Sequence, residues 1–236
     1  MINKRLIPVL LLRNNGLVKT LKFNNSVYIG DPINAVKIFN EKLVDELIFL
    51  DIDATKENRK PNINLIHEIA TECFMPFSYG GGINNLDDIS DIIKAGAEKV
   101  IINEAALSND KLIREASIKF GSSTIIVSID VKTPFFSNSP CVYSNNGKRC
   151  WKINPVDHAR NMEQKGAGEI FINSILLDGT MNGYDLELIN EISSNFKIPV
   201  VACGGAGNLS HISEAIKKTK VSGLGAGSLF SFYKSR

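Results

Sequence analysis

The stretch Glu46-Leu47-Ile48-Phe49 returns 123 residues later as Glu169-Ile170-Phe171-Ile172. It does not return alone. Pro76-Phe77 with Gly81-Gly82 falls on Pro199-Val200 with Gly204-Gly205 at the same spacing, and residues 100–103 fall on 223–226. Residues 6–13 overlie 125–132 at a spacing of 119. Self-similarity at a long fixed period marks a duplicated architecture. Here the duplicated unit holds four apolar runs, so eight strands are expected to close on themselves.

The surrounding pattern agrees. Strands are expected at 6–12, 47–52, 77–79, 100–103, 125–129, 170–173, 200–202 and 223–226, each nearly continuous in apolar residues. That is how a strand covered on both faces reads. Between them lie helix-spaced stripes, such as Ala35, Val36, Ile38, Phe39 and Leu43, or Ile89, Ile92, Ile93 and Ala97. Strand–helix alternation at about 30 residues per unit predicts an α/β fold, a single (β/α)8 TIM barrel over residues 1–236 with a half-barrel repeat. The residues after the eighth strand are too few for a full helix, so the eighth helix is expected to be truncated. Leu229, Phe230, Phe232 and Tyr233 would cover part of the gap beside strand one. Residues 133–155 form a long loop after strand five, with a hairpin around Asn145-Asn146-Gly147, and read either as a lid or as a passive excursion.

Composition narrows the function. The chain has 236 residues, 44% hydrophobic and 22% charged, with a formal net charge of +2. The apolar fraction excludes a disordered chain, and near-neutrality argues against nucleic acid or anionic membranes as partners. The apolar run near the start is at the short limit for a secretory signal and no small-residue cleavage site follows it, so it reads as a buried strand and a cytoplasmic protein is expected. Cys73 and Cys203 read as buried thiols. Cys141 and Cys150 flank the polar loop and are expected to stay unpaired in that compartment. Four scattered cysteines and three isolated histidines predict no metal site, and no cofactor is expected.

Barrel chemistry sits at the carboxyl ends of the strands. Gly80-Gly81-Gly82 and Gly204-Gly205 follow strands three and seven. Glycine permits tight turns, and it also lets backbone N–H groups approach a phosphate. Two such runs at equivalent places in a duplicated barrel favour phosphate. The second half adds Asp178, Gly179, Gly227 and Ser228, whereas the first half has Gly82, Asn103 and then Glu104 in the place of Gly227. A carboxylate there repels a phosphate, so the second site is expected to be the competent one. Asp130 ends strand five after an apolar run, where partial burial suits general acid–base work better than a salt bridge to Lys132 or Lys19. Its counterpart in strand one is Leu11. At the opposite mouth, Arg5, Glu46, Lys99 and Glu169 each precede an apolar strand, and are expected to close a neutral salt-bridge ring that reads as a structural plug.

Taken in order, KRLIPVLLL, DELIFLDIDA, PFSYGGGI, VSIDVK, KGAGEIFINSI, DGTMNGYD and VACGGAG resemble the HisF family, the cyclase subunits of imidazole glycerol phosphate synthase. The resemblance runs from residue 1 to about 230. It implies a HisH-like glutaminase docked on the amino-terminal face of the barrel, ammonia passing through the barrel, and a phosphorylated small-molecule ligand. Arg5, Glu46, Lys99 and Glu169 match the family's gate, and Asp51, Asn103, Lys19, Asp178, Gly205 and Ser228 match its rim. Asp130 matches one of its two catalytic aspartates, and Leu11 replaces the other. Glu104 and Leu176 are further departures. This pattern resembles the WbuZ paralogues, which implies ammonia supply for amidating a surface-polysaccharide sugar. A working cyclase using Asp130 with Asp51 or Asp53, and a non-catalytic scaffold for the glutaminase, are the alternatives.

Overall fold

A computed structural model describes residues 4–135, 137 and 139–231. Eight parallel strands close into a barrel: β1 (Arg5–Arg13), β4 (Leu47–Asp51), β5 (Phe77–Gly80), β6 (Lys99–Ile102), β7 (Ile125–Lys132), β10 (Glu169–Ser174), β11 (Val200–Cys203) and β12 (Gly223–Ala226). Closure is explicit, because β1 pairs in parallel with both β4 and β12, and β10 with both β7 and β11. The helices surround it: α1 (Pro32–Lys42), α2 (Ile63–Glu72), α3 (Leu86–Lys94), α4 (Glu104–Ser108), α5 (Lys111–Phe120), α6 (Pro155–Gln164), α7 (Leu186–Asn195), α8 (Leu209–Lys218) and α9 (Ser228–Ser231). The (β/α)8 barrel expected from the repeat is therefore the fold of this chain.

Alternation along each strand sorts the side chains. Leu10 and Leu12 of β1 face outward into the large core shared with the helices, whereas Ile7 and Val9 face the lumen with Ile48, Ile101, Ile126, Phe171, Val201 and Cys203. Leu11 and Leu50 pack on the upper edge of that lumen cluster. The same period of two puts Arg5 below Ile7, Lys99 below Ile101 and Glu169 below Phe171. It also explains the glycine-rich β12. A Cβ on Gly225 would stand 3.0 Å from Val9, and one on Gly223 3.2 Å from Val201. Lumen space at this strand is already filled by its neighbours.

Two hairpins stand on the carboxyl-terminal rim. The strands β2 (Gly16–Leu21) and β3 (Asn24–Gly30) follow β1, and β8 (Cys141–Ser144) and β9 (Arg149–Cys150) follow β7. β2 pairs antiparallel with β1 and β8 with β7, so the first and fifth barrel strands each extend into a hairpin. The first hairpin gives no strong signal in sequence, because its strands mix polar and apolar residues without a buried face of their own. The second lies within residues 133–155, and its Val142, Tyr143 and Ser144 are buried rather than solvent-facing.

Some apolar positions depart from the expected stripes. Ile38 is half exposed and Leu43 is 86% exposed in the left-handed cap that ends α1. Ala97 lies beyond α3, in the approach to β6. Cys73 is only half-buried, while Cys203 is buried, and all four cysteines are free thiols. α9 spans four residues, and its Phe230 packs edge to face on Phe39 with ring centroids 5.8 Å apart. Phe232 and Tyr233 lie outside the described residues. Among the described residues, no helix is long and apolar enough to cross a membrane.

The base of the barrel is tied by charge. Arg5 binds Glu46 at 2.7 Å and also Glu169. Lys99 lies 3.1 Å from Glu169 and 3.9 Å from Glu46. The Oγ of Ser78 donates to Glu46 at 3.3 Å. Two cations and two anions thus alternate around the mouth. Glu46 and Glu169 are almost fully buried, and removing one partner of a buried pair strands the other charge. Glu169→Ala is expected to lower the unfolding free energy by about 3–5 kcal/mol, measured by urea unfolding at neutral pH.

Candidate functional site

A cavity opens at the carboxyl-terminal ends of the barrel strands, roofed in part by both hairpins. Its floor is the top of the lumen, with Leu11, Leu50, Asn103, Asp130 and Asn173. Thr20 and Phe23 reach it from the first hairpin, and Asn145 and Asn146 from the second. The two hairpins converge: a Cβ on Gly147 would lie 3.2 Å from Ile175 and 3.5 Å from Phe23. Gly82, Gly179, Gly205, Gly227, Ser228, Lys19, Asp51 and Asp178 also line the cavity. The rim residues singled out in sequence therefore share one recess, and the ring of four charges lies across the apolar lumen from them.

Four aspartates at or near this rim have different surroundings. Among the described residues Asp130 receives two side-chain bonds, both 3.4 Å long, from Ser128 Oγ and Asn103 Nδ2. Burial, opposed by the Ser128 bond and aided by the charge of Asp178, pushes its pKa up to about 7. A carboxyl group titrating there can both take and give a proton near neutral pH. Lys132, an alternative partner by sequence, holds its ammonium 5.7 Å from the Tyr143 ring centroid.

Asp51 and Asp53 are held by arginines. Asp51 accepts from both terminal nitrogens of Arg59 at 3.1 and 3.2 Å, and from the backbone N–H groups of Asp53 and Ala54. Asp53 binds Arg13 in a fork at 2.6 and 2.9 Å. Charge-assisted forks of this kind hold a carboxylate fixed in place. Nothing in the sequence pattern singles out Arg13 or Arg59, because both sit in loops or strand ends whose folding brings them over.

Asp178 serves the first hairpin. Its Oδ2 accepts from Thr20 Oγ1 at 2.7 Å and from the Phe23 N–H at 3.2 Å, and its carbonyl accepts from Lys22 N–H at 2.9 Å. Lys22 and Phe23 are both left-handed, with φ of 52° and 61°. Such a turn is costly for non-glycine residues and persists where neighbours hold it. Burial raises the Asp178 pKa. Gly179 is required by the same contact, since a Cβ would come within 2.1 Å of the Thr20 carbonyl.

The glycine turns have similar backbone reasons. Gly82 has φ of 72°, and its Cβ would meet the Arg59 carbonyl at 2.4 Å; its N–H donates to Thr55 Oγ1 at 3.3 Å. Gly205 has φ of 100° and its Cβ would meet the Gly183 carbonyl at 1.9 Å. Tight packing alone accounts for glycine at both places. Asn103 turns its amide toward Ser128 and Asp130, and so positions the acid. Glu104 lines the cavity and pairs with Arg149 of β9 at 3.1 Å.

Comparison with known proteins fits this layout. The model of the histidine biosynthesis protein family matches residues 5–236. This chain belongs to that family. A provisionally named hisF2 subunit of imidazole glycerol phosphate synthase from Pseudomonas aeruginosa is 50% identical over 233 residues, 99% of this chain and 92% of the relative. A provisionally named HisF subunit from Leptospira borgpetersenii is 46% identical over 98% of this chain and 91% of its own length. An imidazole glycerol phosphate synthase subunit HisF from Clostridium botulinum is 41% identical over 98% of this chain and 92% of its own length. The HisF resemblance of the sequence is thus a family membership.

Two expectations follow from the carboxylates. The native state holds the Asp130 proton up to about pH 7, while an unfolded aspartate releases it near pH 4, so this group's contribution to stability falls as pH rises through that window. Asp130→Asn is expected to raise the unfolding free energy at pH 8 by up to roughly 4 kcal/mol and to change it little at pH 4, measured by urea titration at both. Asp178→Ala is expected to release the first hairpin, seen as faster amide hydrogen exchange across residues 16–30 with protection of the barrel strands unchanged.

Proposed function

We propose that this chain is a HisF-like barrel that passes ammonia, produced by a HisH-like glutaminase docked on its amino-terminal face, to a phosphorylated acceptor held at the carboxyl-terminal rim. The observation that carries the reading is the contrast between the two mouths. At one, Arg5, Glu46, Lys99 and Glu169 form a complete ring over the lumen. At the other, Asp130 faces the cavity with Leu11 in the place of a partner aspartate, while Asp51 and Asp53 are held by arginines and Glu104 is tied on one oxygen to Arg149. Loss of one general acid or base costs about 10²–10⁴-fold in rate. Ring closure to imidazole glycerol phosphate is therefore weak or absent, and ammonia delivery is what remains.

The docking face is apolar where a partner needs it. Barrel helices run opposite to the strands, so their carboxyl-terminal ends surround the amino-terminal mouth. There Leu43 after α1, Phe74 after α2 and Ile118 in the last turn of α5 are 86%, 86% and 76% exposed. Large apolar side chains grouped on one face favour a protein partner. By likeness to the WbuZ paralogues, we assign the acceptor to the surface-polysaccharide sugars and the protein to the cytoplasm.

The test is a ring-closure assay with ammonium salt and the aminoimidazole precursor, run beside a HisF subunit that retains both aspartates. Turnover at least about 100-fold lower is expected. Equal turnover would overturn the reading and favour a synthase cyclase, which Asp130, poised near pH 7, would then serve.

A further inference from the structure

The two halves of the rim differ at one position in a way that defines the ligand. The repeat superimposes Glu104 on Gly227. Glu104 follows β6, lines the cavity and lies beside Asn103 and Ala105, which line it too. One oxygen accepts from Arg149 Nη1 at 3.1 Å. The other is buried and has no hydrogen-bond partner among the described residues. Arg149 is itself fixed. Its guanidinium stacks 3.9 Å from the Trp151 ring centroid, and the Trp151 indole donates to Ser144 Oγ at 2.8 Å. The second hairpin thus holds the carboxylate at the cavity wall rather than letting it swing into solvent.

A carboxylate at this wall attracts hydrogen-bond donors and repels anions. An unmatched acceptor oxygen is costly when buried, and a hydroxyl or ammonium group from a ligand satisfies it. The Gly227 end has no carboxylate at the equivalent position, and Ser228 beside it adds a hydroxyl. We infer that Glu104 selects an acceptor with one phosphate, seated at the Gly205–Ser228 end, and a hydroxyl- or amino-bearing sugar end at Glu104, and that it rejects ligands phosphorylated at both ends. The inference rests on the rim being an acceptor site, as proposed above, but not on ammonia passage or on any partner.

Inorganic phosphate is the probe, titrated into the full chain by isothermal calorimetry, with glutaminase and ammonia absent. The unsubstituted protein is expected to bind one phosphate. Glu104→Gln is expected to gain a second site or to bind phosphate at least tenfold more tightly at the first half. Arg149→Met separates selection from mere anchoring of the hairpin. If Glu104 only anchors, both variants loosen the hairpin and shift phosphate binding alike. If it selects, Arg149→Met leaves the carboxylate uncompensated and cannot reproduce the gain seen in Glu104→Gln. Circular dichroism confirms that each variant is folded. Two phosphates on the unsubstituted protein, or the same response in both variants, overturns the role of Glu104. No phosphate on any of the three overturns it together with the phosphate reading of the rim. Loss of the Glu104 role alone leaves the proposed function standing, whereas the absence of any phosphate removes its phosphorylated acceptor as well; the ring-closure assay tests the remainder, so the failures are distinguishable.

Discussion

Eight lumen side chains from six strands fill the interior of the closed sheet, and the polar ends of the molecule are arranged around that layer. Closure imposes this. Once β1 pairs with both β4 and β12, every second residue of each strand must point into one narrow interior, which takes apolar side chains, glycine or a small hydroxyl such as Ser78 or Ser128. Charged residues in the same inward register are displaced to the mouths. Arg5, Lys99 and Glu169 are one step below the lumen layer, and Asp130 and Asn103 are one step above it. The ring at the base and the acid at the rim are two consequences of one alternation.

The rim then depends on what the hairpins contribute. Both grow directly from barrel strands, so their first residues inherit the strand direction and carry side chains over the cavity. Asp178 holds the first through Thr20 and Phe23, and Glu104 meets the second through Arg149. Carboxylates that look equivalent along the chain are consequently not equivalent in chemistry. Asp51 and Asp53 are engaged by arginines, Asp178 supports a strained turn, Glu104 is tied to Arg149, and Asp130 receives only long bonds from neutral donors among the described residues. That difference in partners separates the one group poised for proton transfer from its neighbours.

Much of this was legible beforehand. The spacing of ELIF and EIFI, and of the paired glycines, indicated two half-barrels, and all eight strands lie where the apolar runs place them. The residues before the strands were legible as a group because each occupies the same phase of the same alternation. The first hairpin was not legible, because β2 buries Leu17, Val18 and Thr20 against the barrel while β3 buries none of its residues, so the pair has no buried face of its own. The arginine clamps on Asp51 and Asp53 were not legible either, since they join residues that only tertiary folding brings together. The turn glycines carried a double meaning. Gly82, Gly179 and Gly205 are each demanded by backbone approach closer than 2.5 Å to a would-be Cβ, a reason that exists whether or not an anion binds.

The sequence by itself determined the barrel, its two-fold repeat, the composition of both mouths and the absence of an acid at Leu11. These follow from periodicity and residue identity, which the linear chain contains. Only the tertiary structure decided which carboxylates are free to act, because ionisation and reactivity depend on burial and on partners from distant segments. It also decided the fate of Glu104. In sequence that residue is a misplaced charge, and in the folded chain it is a carboxylate held at the cavity wall by an arginine stacked on a tryptophan.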